Sequence, residues 1–168
     1  MAELVTPIPT ADLVDTYGDA LQSISVQFRR FGTINRFAGP VVTVHCFEDN
    51  ALLKATLTDH EDPVGRVLVI DGSASLRTAL IGDLIAGIAV DRGWAGLVVN
   101  GAIRDSVAID TLPIGVKALG TNPRKSGKTG AGQVNIPVVI DRVIIRPDQI
   151  LHSDEDGIVA LPAATTKW

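Results

Sequence analysis

Residues 82–105 have the sequence GDLIAGIAVDRGWAGLVVNGAIRD, in which a helix-like segment precedes a strand-like one. Gly82 interrupts the apolar run before it, and the aspartate that follows favours a first helical turn, which predicts a helix over 83–92. Gly93 ends that helix, and the apolar run 96–100 predicts a buried strand. The helix side chains expected to face the core are Leu84, Ile85, Ile88 and Ala89.

The lengths of these two elements bring their outer ends together. The helix is about 15 Å long at ~1.5 Å per residue, and the strand is about 16 Å long at ~3.3 Å per residue. The chain therefore runs down the helix and back up the strand. Gly82 and Asp83 should then lie beside the loop 101–105, at the sheet edge where α/β proteins usually bind ligands.

The flanking sequence predicts more helices and strands. We expect Thr10 to cap a helix that buries Leu13, Val14 and Tyr17, and a helix beginning at Asn50 should bury Leu52, Leu53 and Leu57. Strands or extended segments are predicted over 41–47, 66–70, 76–81, 116–119, 138–140, 143–145, 150–152 and 158–161. The class is α/β with mixed sheets, in one domain spanning residues 1–168.

Composition excludes several classes of protein. The 168 residues are 46% hydrophobic and 20% charged, which is typical of a globular domain and not of a disordered chain. A net charge of −4 and an aromatic content of 4% argue against direct nucleic-acid binding. The only cysteine, Cys46, lies in an apolar run and is expected to be a buried thiol. With neither a signal peptide nor a membrane span in the sequence, we expect a cytoplasmic protein.

The residues at the edge formed by 82–85 and 101–105 are suited to bind a small anionic ligand. Backbone N–H groups at a helix start can bind its carboxylate, and the Arg104 guanidinium can form paired hydrogen bonds with a 2-oxo acid. Asp105, with Asp83 as a second candidate, suits a hard divalent cation. Such a site stabilises an enolate, the intermediate of retro-aldol cleavage and of 2-oxo acid decarboxylation. The alternative is that Arg104 and Asp105 form a surface turn and Asp83 only favours the helix dipole.

Short motifs along nearly the whole chain resemble the class II HMG/CHA aldolase family and the related RraA-like proteins (regulator of ribonuclease activity A). Active aldolases of the family carry an aspartate, twenty intervening residues and then Arg-Asp, a pattern that Asp83, Arg104 and Asp105 meet. The matching stretches are TADLVD (10–15), FAGP (37–40), CFEDN (46–50), VIDG (69–72), GDL (82–84), GWAG (93–96), NGAIRD (100–105), ALGTNPRKS (118–126) and DEDG (154–157).

The resemblance implies a fold, a reaction and roles for these residues. The fold is a compact three-layer β/β/α sandwich, assembled as a homotrimer. The reaction is cleavage of 4-hydroxy-4-methyl-2-oxoglutarate to two pyruvates, with oxaloacetate decarboxylation through the same enolate. Arg104 would contact the keto oxygen, Asp105 would anchor Mg²⁺ or Mn²⁺, and Asp83 would hold metal-bound water and assist proton transfer. The substrate carboxylate would be bound by Gly82, Asp83, Leu84 and Ile85.

Two other functions remain open. The regulatory branch of the family binds and inhibits a ribonuclease, so a ribonuclease is a candidate partner; the other possibility is a trimer with a vestigial site. Some family members are labelled menaquinone methyltransferases, but no glycine-rich nucleotide loop stands at a strand–helix junction of this sequence.

Two further motifs are expected to be structural. Ser126-Gly127-Lys128-Thr129 resembles the end of a phosphate-binding loop, but Asn122 replaces the required glycine. We interpret it as a basic loop, in which Lys125 and Lys128, together with Arg124, attract anionic substrates. The acidic segment 152–157 resembles a calcium loop only faintly and predicts a tight turn.

Overall fold

The computed structural model describes residues 3–162 of the chain. The α-helices are α1 (Thr10–Tyr17), α2 (Ala51–Asp59), α3 (Asp83–Arg92) and the single turn α4 (Ser106–Ile109). The strands are β1 (Gln22–Ile24), β2 (Arg29–Phe31), β3 (Phe37–His45), β4 (Val67–Asp71), β5 (Ala79–Ile81), β6 (Gly96–Ile103), β7 (Gly115–Thr121), β8 (Gln133–Val134), β9 (Val138–Ile140), β10 (Val143–Ile145), β11 (Ile150–Ser153) and β12 (Ile158–Leu161).

Ten of these strands form one mixed sheet, and eight of the ten follow the order β1-β12-β11-β3-β4-β6-β7-β2. β3, β4, β6 and β7 run parallel to one another at its centre, and β5 also pairs parallel with β6. The flanking strands are antiparallel, and β8 adds a short antiparallel pairing to β3. The remaining two strands, β9 and β10, form a separate antiparallel hairpin.

The two faces of the central sheet bury two different layers. Side chains alternate along a strand, so in β4 Leu68 and Ile70 face a core cluster that includes residues of α2 and α3. Val67 and Val69 belong to the opposite cluster, which contains residues of the β9–β10 hairpin. The result is an α layer, a sheet and a second β layer, which confirms the expected β/β/α sandwich.

One aromatic ring fixes how closely two central strands approach the start of β3. The Phe37 ring occupies the space where side chains of Gly96 and Gly115 would project, and a Cβ at either glycine would overlap the ring. Phe37 itself is only 3% exposed. Glycine is therefore required at the first residue of both β6 and β7.

Most predicted elements are confirmed, but β3 spans 37–45 rather than 41–47, β5 begins at 79 rather than 76, and β6 continues to Ile103, so residues 101–103 form strand and not loop. Three expectations about side chains are wrong. Leu84 was expected in the core but is 81% exposed, because the α3 core face is formed by Ile85, Ala86 and Ala89. Val14 was also expected to be buried and is exposed, whereas Leu13 is buried. Thr10 does not cap α1, because its hydroxyl donates to Asp154. Among the residues that the structure describes, no helix has the length and apolar content needed to cross a membrane.

Candidate active site

The candidate site lies where β5 and β6 end side by side. Ile81 of β5 is in register with Ile103 of β6, and the Arg104 N–H extends this pairing by donating to the Ile81 carbonyl at 2.9 Å. Gly82 and Arg104 follow these paired residues directly. The prediction that the helix start and the Arg-Asp loop lie together is confirmed.

Asp105 turns its carboxylate back towards the start of α3. Its backbone adopts the left-handed conformation (φ 54°), which an aspartate tolerates better than most residues. Its Oδ2 atom accepts a hydrogen bond from the Asp83 N–H at 3.2 Å and lies 3.9 Å from Arg104 Nε. One amide of the expected carboxylate cradle is therefore already occupied by a side chain of the protein.

Gly82 is required by this close approach. A Cβ at Gly82 would lie 2.7 Å from Asp105 Oδ2 and 3.4 Å from Arg104 Nε. Any side chain there would displace the carboxylate. The glycine that the sequence analysis assigned to substrate binding thus makes room for the two charged residues beside it.

A cavity of about 460 Å³ opens beside these residues, and we call it the Arg104 cavity. Its lining contains every predicted site residue, namely Gly82, Asp83, Leu84, Ile85, Arg104 and Asp105. The lining also includes Asn50, Lys54, Lys125, Ser126 and Lys128. The exposed side chain of Leu84 thus lines the cavity rather than the core.

The charges that line the Arg104 cavity are mainly positive. Lys54, Lys125, Lys128 and Arg104 contribute four positive charges, against two negative charges from Asp83 and Asp105, which leaves a net of +2. The whole chain carries a net charge of −4. Because a charged cleft concentrates ions of the opposite sign, the cavity favours an anionic ligand.

Arg104 and Asp105 separate the Arg104 cavity from a second one. This second cavity has a volume of about 420 Å³ and is also lined by Ser106, Thr121, Asn122 and Pro123. The two charged side chains are about one-third exposed, at 35% and 40% respectively. They are therefore accessible to a ligand.

The side chains at the site fit a hydrated divalent cation better than a cation enclosed by protein ligands. Within residues 3–162, no group of three or more His, Cys, Asp or Glu side chains is placed to hold a metal ion. Mg²⁺, however, keeps several waters and is typically bound through one or two carboxylates and substrate oxygens. Asp105, with Asp83 exposed beside it, offers such a set.

Sequence analysis missed Asn50, Lys54 and Ser126 as cavity residues. The Asn50 side chain donates to the Leu80 carbonyl at 3.2 Å, and the Ser126 hydroxyl donates to the Ala79 carbonyl at 2.7 Å. Both bonds tie separate segments to β5. Asn50 and Ser126 belong to the motifs CFEDN and ALGTNPRKS, but neither motif reveals that they face one cavity.

The loop containing Ser126-Gly127-Lys128-Thr129 is not arranged to cradle a phosphate. It lies between β7 and β8, and no helix follows it. The Thr129 N–H and hydroxyl both donate to Asp49 Oδ2, at 2.6 and 2.8 Å. A protein carboxylate already takes the donors that a phosphate would need.

The other groups singled out in the sequence have structural environments. Cys46 is fully buried, and burial, followed by the charges of Asp49 and Asp71, raises its thiol pKa to about 12, so it is no nucleophile at neutral pH. In the acidic turn, the Asp154 carboxylate accepts the N–H groups of Asp156 and Gly157 at 2.9 and 3.3 Å. This confirms the predicted tight turn.

Comparison with known proteins identifies the family. The RraA-like family model (Aldolase/RraA) matches residues 10–160. A structure named S-adenosylmethionine:2-dimethylmenaquinone methyltransferase, from Geobacillus kaustophilus HTA426, is 43% identical, with a TM-score of 0.89 over 92% of this chain and 94% of that one. The RNA-processing inhibitor RraA from Thermus thermophilus is 44% identical, with a TM-score of 0.88 over 94% of each chain.

A more distant structure supports the fold alone. RraAS2 from Streptomyces coelicolor is 24% identical, with a TM-score of 0.76 over 96% of this chain and 83% of that one. The two relatives above 40% identity carry names of different functions, so those names do not decide the activity of this protein. The family model and the two similar structures agree on ancestry, and the chain belongs to the RraA-like (Aldolase/RraA) family.

Proposed function

We propose that this protein is a divalent-metal-dependent carbon–carbon lyase that cleaves 4-hydroxy-4-methyl-2-oxoglutarate to two pyruvates and decarboxylates oxaloacetate as a secondary activity. The observation that carries the proposal is the content of the Arg104 cavity. One cavity contains a guanidinium, two carboxylates, a helix start and three lysines. These are the groups needed to bind an anionic 2-oxo acid and to stabilise its enolate.

Substrate binding uses the cavity's positive groups. In the first turn of α3, the N–H groups of Leu84 and Ile85 have no intrahelical acceptor because of helix geometry, and they suit the carboxylate next to the keto group. Lys54, Lys125 and Lys128 line the same cavity and attract the doubly charged substrate. Asp105 already accepts the Asp83 N–H, so the substrate would use the remaining amides.

Bond cleavage requires that negative charge be stabilised on the keto oxygen. The C4 hydroxyl loses its proton, the C3–C4 bond breaks, and its electron pair moves into the enolate of the pyruvate that remains bound. Arg104 supplies permanently charged donors to that oxygen, and Asp83 is the exposed carboxylate proposed to accept the hydroxyl proton and return it to C3. A divalent cation bound by Asp105 would supply Lewis-acid polarisation of the keto group.

The test is metal-dependent pyruvate release from oxaloacetate by chelator-treated protein, measured with and without added Mg²⁺ or Mn²⁺. We expect Arg104→Ala and Asp105→Ala to lower turnover by at least about 100-fold, since each removes a group that stabilises the developing charge. Arg36→Ala is the matched control, because Arg36 is an exposed arginine paired with Glu155 outside the cavity. Equal turnover in wild type and Arg104→Ala would contradict the proposal. Metal-dependent turnover that is lost in Arg104→Ala would make 4-hydroxy-4-methyl-2-oxoglutarate the next substrate to test.

The homotrimer implied by the family is part of this proposal. Leu84 and Val107, at the first turns of α3 and α4, are 81% and 82% exposed, and we propose that a neighbouring subunit of the trimer covers them. Light scattering should give a mass of about 53 kDa, three times the 17.7 kDa of the chain. A mass near 18 kDa would contradict it.

The second candidate function is inhibition of a ribonuclease. It is favoured by the 44% identity to a protein named as an RNA-processing inhibitor. Micromolar binding to a ribonuclease that is unchanged by Arg104→Ala would support this function. Absence of binding at that concentration would exclude it.

A further inference from the structure

The loop of residues 122–132, here called the lysine loop, forms part of the wall of the Arg104 cavity. It connects β7 to β8 and has no regular secondary structure over most of its length. Lys125 and Lys128 are exposed and line the cavity. Their position therefore depends on what holds the loop against the rest of the molecule.

The segment 48–50 holds the lysine loop through backbone hydrogen bonds. The Gly127 N–H donates to the Glu48 carbonyl at 2.8 Å, and the Asn50 N–H donates to the Gly127 carbonyl at 3.0 Å. These two bonds flank Asp49, whose backbone forms an isolated parallel bridge with Gly127. They fix the loop on one side of Lys128.

The Asp49 side chain holds the loop on the other side of Lys128. Its Oδ2 accepts the Thr129 N–H at 2.6 Å and the Thr129 hydroxyl at 2.8 Å, and its Oδ1 accepts the Gly130 N–H at 3.1 Å. A fourth bond comes from the Ala51 N–H at 3.3 Å, at the start of α2. Three of the four donors to this one carboxylate thus belong to the lysine loop.

The Asp49 carboxylate is buried and charged. Asp49 is 5% exposed and does not line the Arg104 cavity, although its neighbour Asn50 does. Burial works to raise its pKa, but the hydrogen bonds from Thr129, Gly130 and Ala51 outweigh burial and lower it. Its negative charge is thus stabilised by N–H and O–H donors.

We propose that Asp49 is a positioning residue for anion binding: its carboxylate fixes the lysine loop so that Lys125 and Lys128 face the Arg104 cavity. The inference rests on the proposed function, because it assigns these lysines to an anionic 2-oxo acid. Asp49 acts through the loop and does not touch the ligand. Its role differs from those of Arg104 and Asp105, which line the cavity themselves.

The test substitution is Asp49→Asn, which keeps the side-chain shape and removes the charge. An amide has one acceptor oxygen and two N–H donors, so its nitrogen would face the N–H groups of the loop. The matched control is Asp154→Asn, because Asp154 is also a buried aspartate with four donors, and none of them is in the lysine loop.

The first measurement is the rate of trypsin cleavage after Lys125 and Lys128, followed by mass spectrometry under native conditions. Cleavage requires local opening of the loop, so we expect at least a tenfold increase in Asp49→Asn and less than a twofold increase in Asp154→Asn. Equal rates in wild type and Asp49→Asn, or equal increases in both variants, would overturn the proposal. Should Asp49→Asn fail to fold, Thr129→Val removes one of the same bonds and is expected to raise cleavage about threefold; no increase would overturn the proposal.

The second measurement separates binding from catalysis with oxaloacetate as the probe. We expect Asp49→Asn to raise KM about tenfold and to change kcat less than threefold, and we expect the same of the pair Lys125→Gln/Lys128→Gln. Adding Asp49→Asn to that pair should leave KM nearly unchanged, because Asp49 acts through the two lysines. An unchanged KM in Asp49→Asn, or effects that multiply when Asp49→Asn is added to the lysine substitutions, would overturn the proposal. If the wild type shows no metal-dependent turnover, the proposed function fails, and trypsin cleavage alone decides whether Asp49 holds the loop.

Discussion

Two buried aspartates, Asp49 and Asp154, use the same chemistry in different parts of the molecule. Each carboxylate accepts the backbone N–H and the hydroxyl of one threonine, Thr129 for Asp49 and Thr10 for Asp154. Each also accepts two more backbone N–H groups. In both cases, burial opposes ionisation and the donors outweigh it, so the pKa of each carboxyl is lowered.

The two aspartates differ in what they hold. Thr129 lies in an exposed loop, whereas Thr10 is 4% exposed and begins α1. The backbone carbonyl of Asp154 also accepts a hydrogen bond of 2.6 Å from the buried ammonium group of Lys117. The same arrangement around a carboxylate therefore holds an exposed loop at the cavity and a buried helix start in the N-terminal segment.

The largest expected effect is on global stability, in Asp154→Asn. We expect the free energy of unfolding to fall by about 3 kcal/mol, because four donors lose a charged acceptor in a buried position. Urea denaturation at pH 7 measures the change, and the KM for oxaloacetate should stay at the wild-type value. A loss below about 1 kcal/mol would contradict the expectation that Asp154 stabilises the whole fold more than Asp49 does.

Asp49→Asn should have a smaller effect on the same measurement. We expect a loss of about 1.5 kcal/mol, because three of its donors lie in an exposed loop that can detach without unfolding the core. A loss as large as that of Asp154→Asn would show that the lysine loop is part of the global folding unit.

The two threonines allow the same comparison with one hydrogen bond each. Both hydroxyls donate to their aspartate at 2.8 Å, and valine has nearly the same shape as threonine. We expect Thr10→Val to cost about 1 kcal/mol and Thr129→Val about 0.5 kcal/mol in unfolding free energy. Equal losses of unfolding free energy in the two variants would contradict the expectation that the hydrogen bond of the buried Thr10 stabilises the fold more than that of the exposed Thr129.

The smallest expected effect is a pH dependence of the unfolding free energy, which we attribute to His152, close to Asp154 in the sequence. His152 is 2% exposed, and its Nδ1 accepts the Ile8 N–H at 3.2 Å. Burial lowers its pKa below the ordinary 6.5, and the charge of Asp154 opposes this only partly. The unfolded chain therefore binds the proton more readily, so stability present above pH 6.5 should be lost as the pH falls towards the folded pKa.

His152→Asn tests this pH dependence, because an amide oxygen can accept the Ile8 N–H without titrating near neutral pH. Unfolding free energies measured between pH 7.5 and 5 should fall in the wild type more steeply than in the variant. If the unfolding free energies of the two proteins fall equally with pH, groups other than His152 cause the pH dependence.

The local part of the site was predictable from sequence. Gly82 and Arg104 come together because β5 and β6 are paired parallel strands that end at Ile81 and Ile103, with α3 between them in the chain. The glycines and the apolar run predicted α3 and the start of β6, but β6 continues three residues beyond the predicted end at 100. The α3 boundaries and the strands β9, β10 and β12 are confirmed. Side-chain directions were less predictable: Leu84 lines the cavity because α3 packs through Ile85 and Ala89.

The position of the lysine loop at the Arg104 cavity depends on contacts between segments that are distant in the sequence. The Asp49 carboxylate meets Thr129 across 80 positions, and no periodicity encodes such a pairing. The sequence marked the loop as basic, but its position at the Arg104 cavity follows from hydrogen bonds to Ala79 and Glu48. Among the missed elements, β1, β2 and β8 have only two or three residues with polar ones among them, whereas the equally short β9 and β10 are wholly apolar. The helix α4 was missed because it is a single turn.

The contact of the Phe37 ring with Gly96 and Gly115 also limits how the family can diverge. A methyl group at either glycine overlaps the ring, but at Gly115 it would also lie 2.7 Å from the Ile34 carbonyl oxygen. A smaller side chain at position 37 would therefore make room at position 96 and not at position 115. Related sequences with alanine or serine at position 96 are expected to be those that have already replaced the phenylalanine, whereas position 115 should stay glycine even in them.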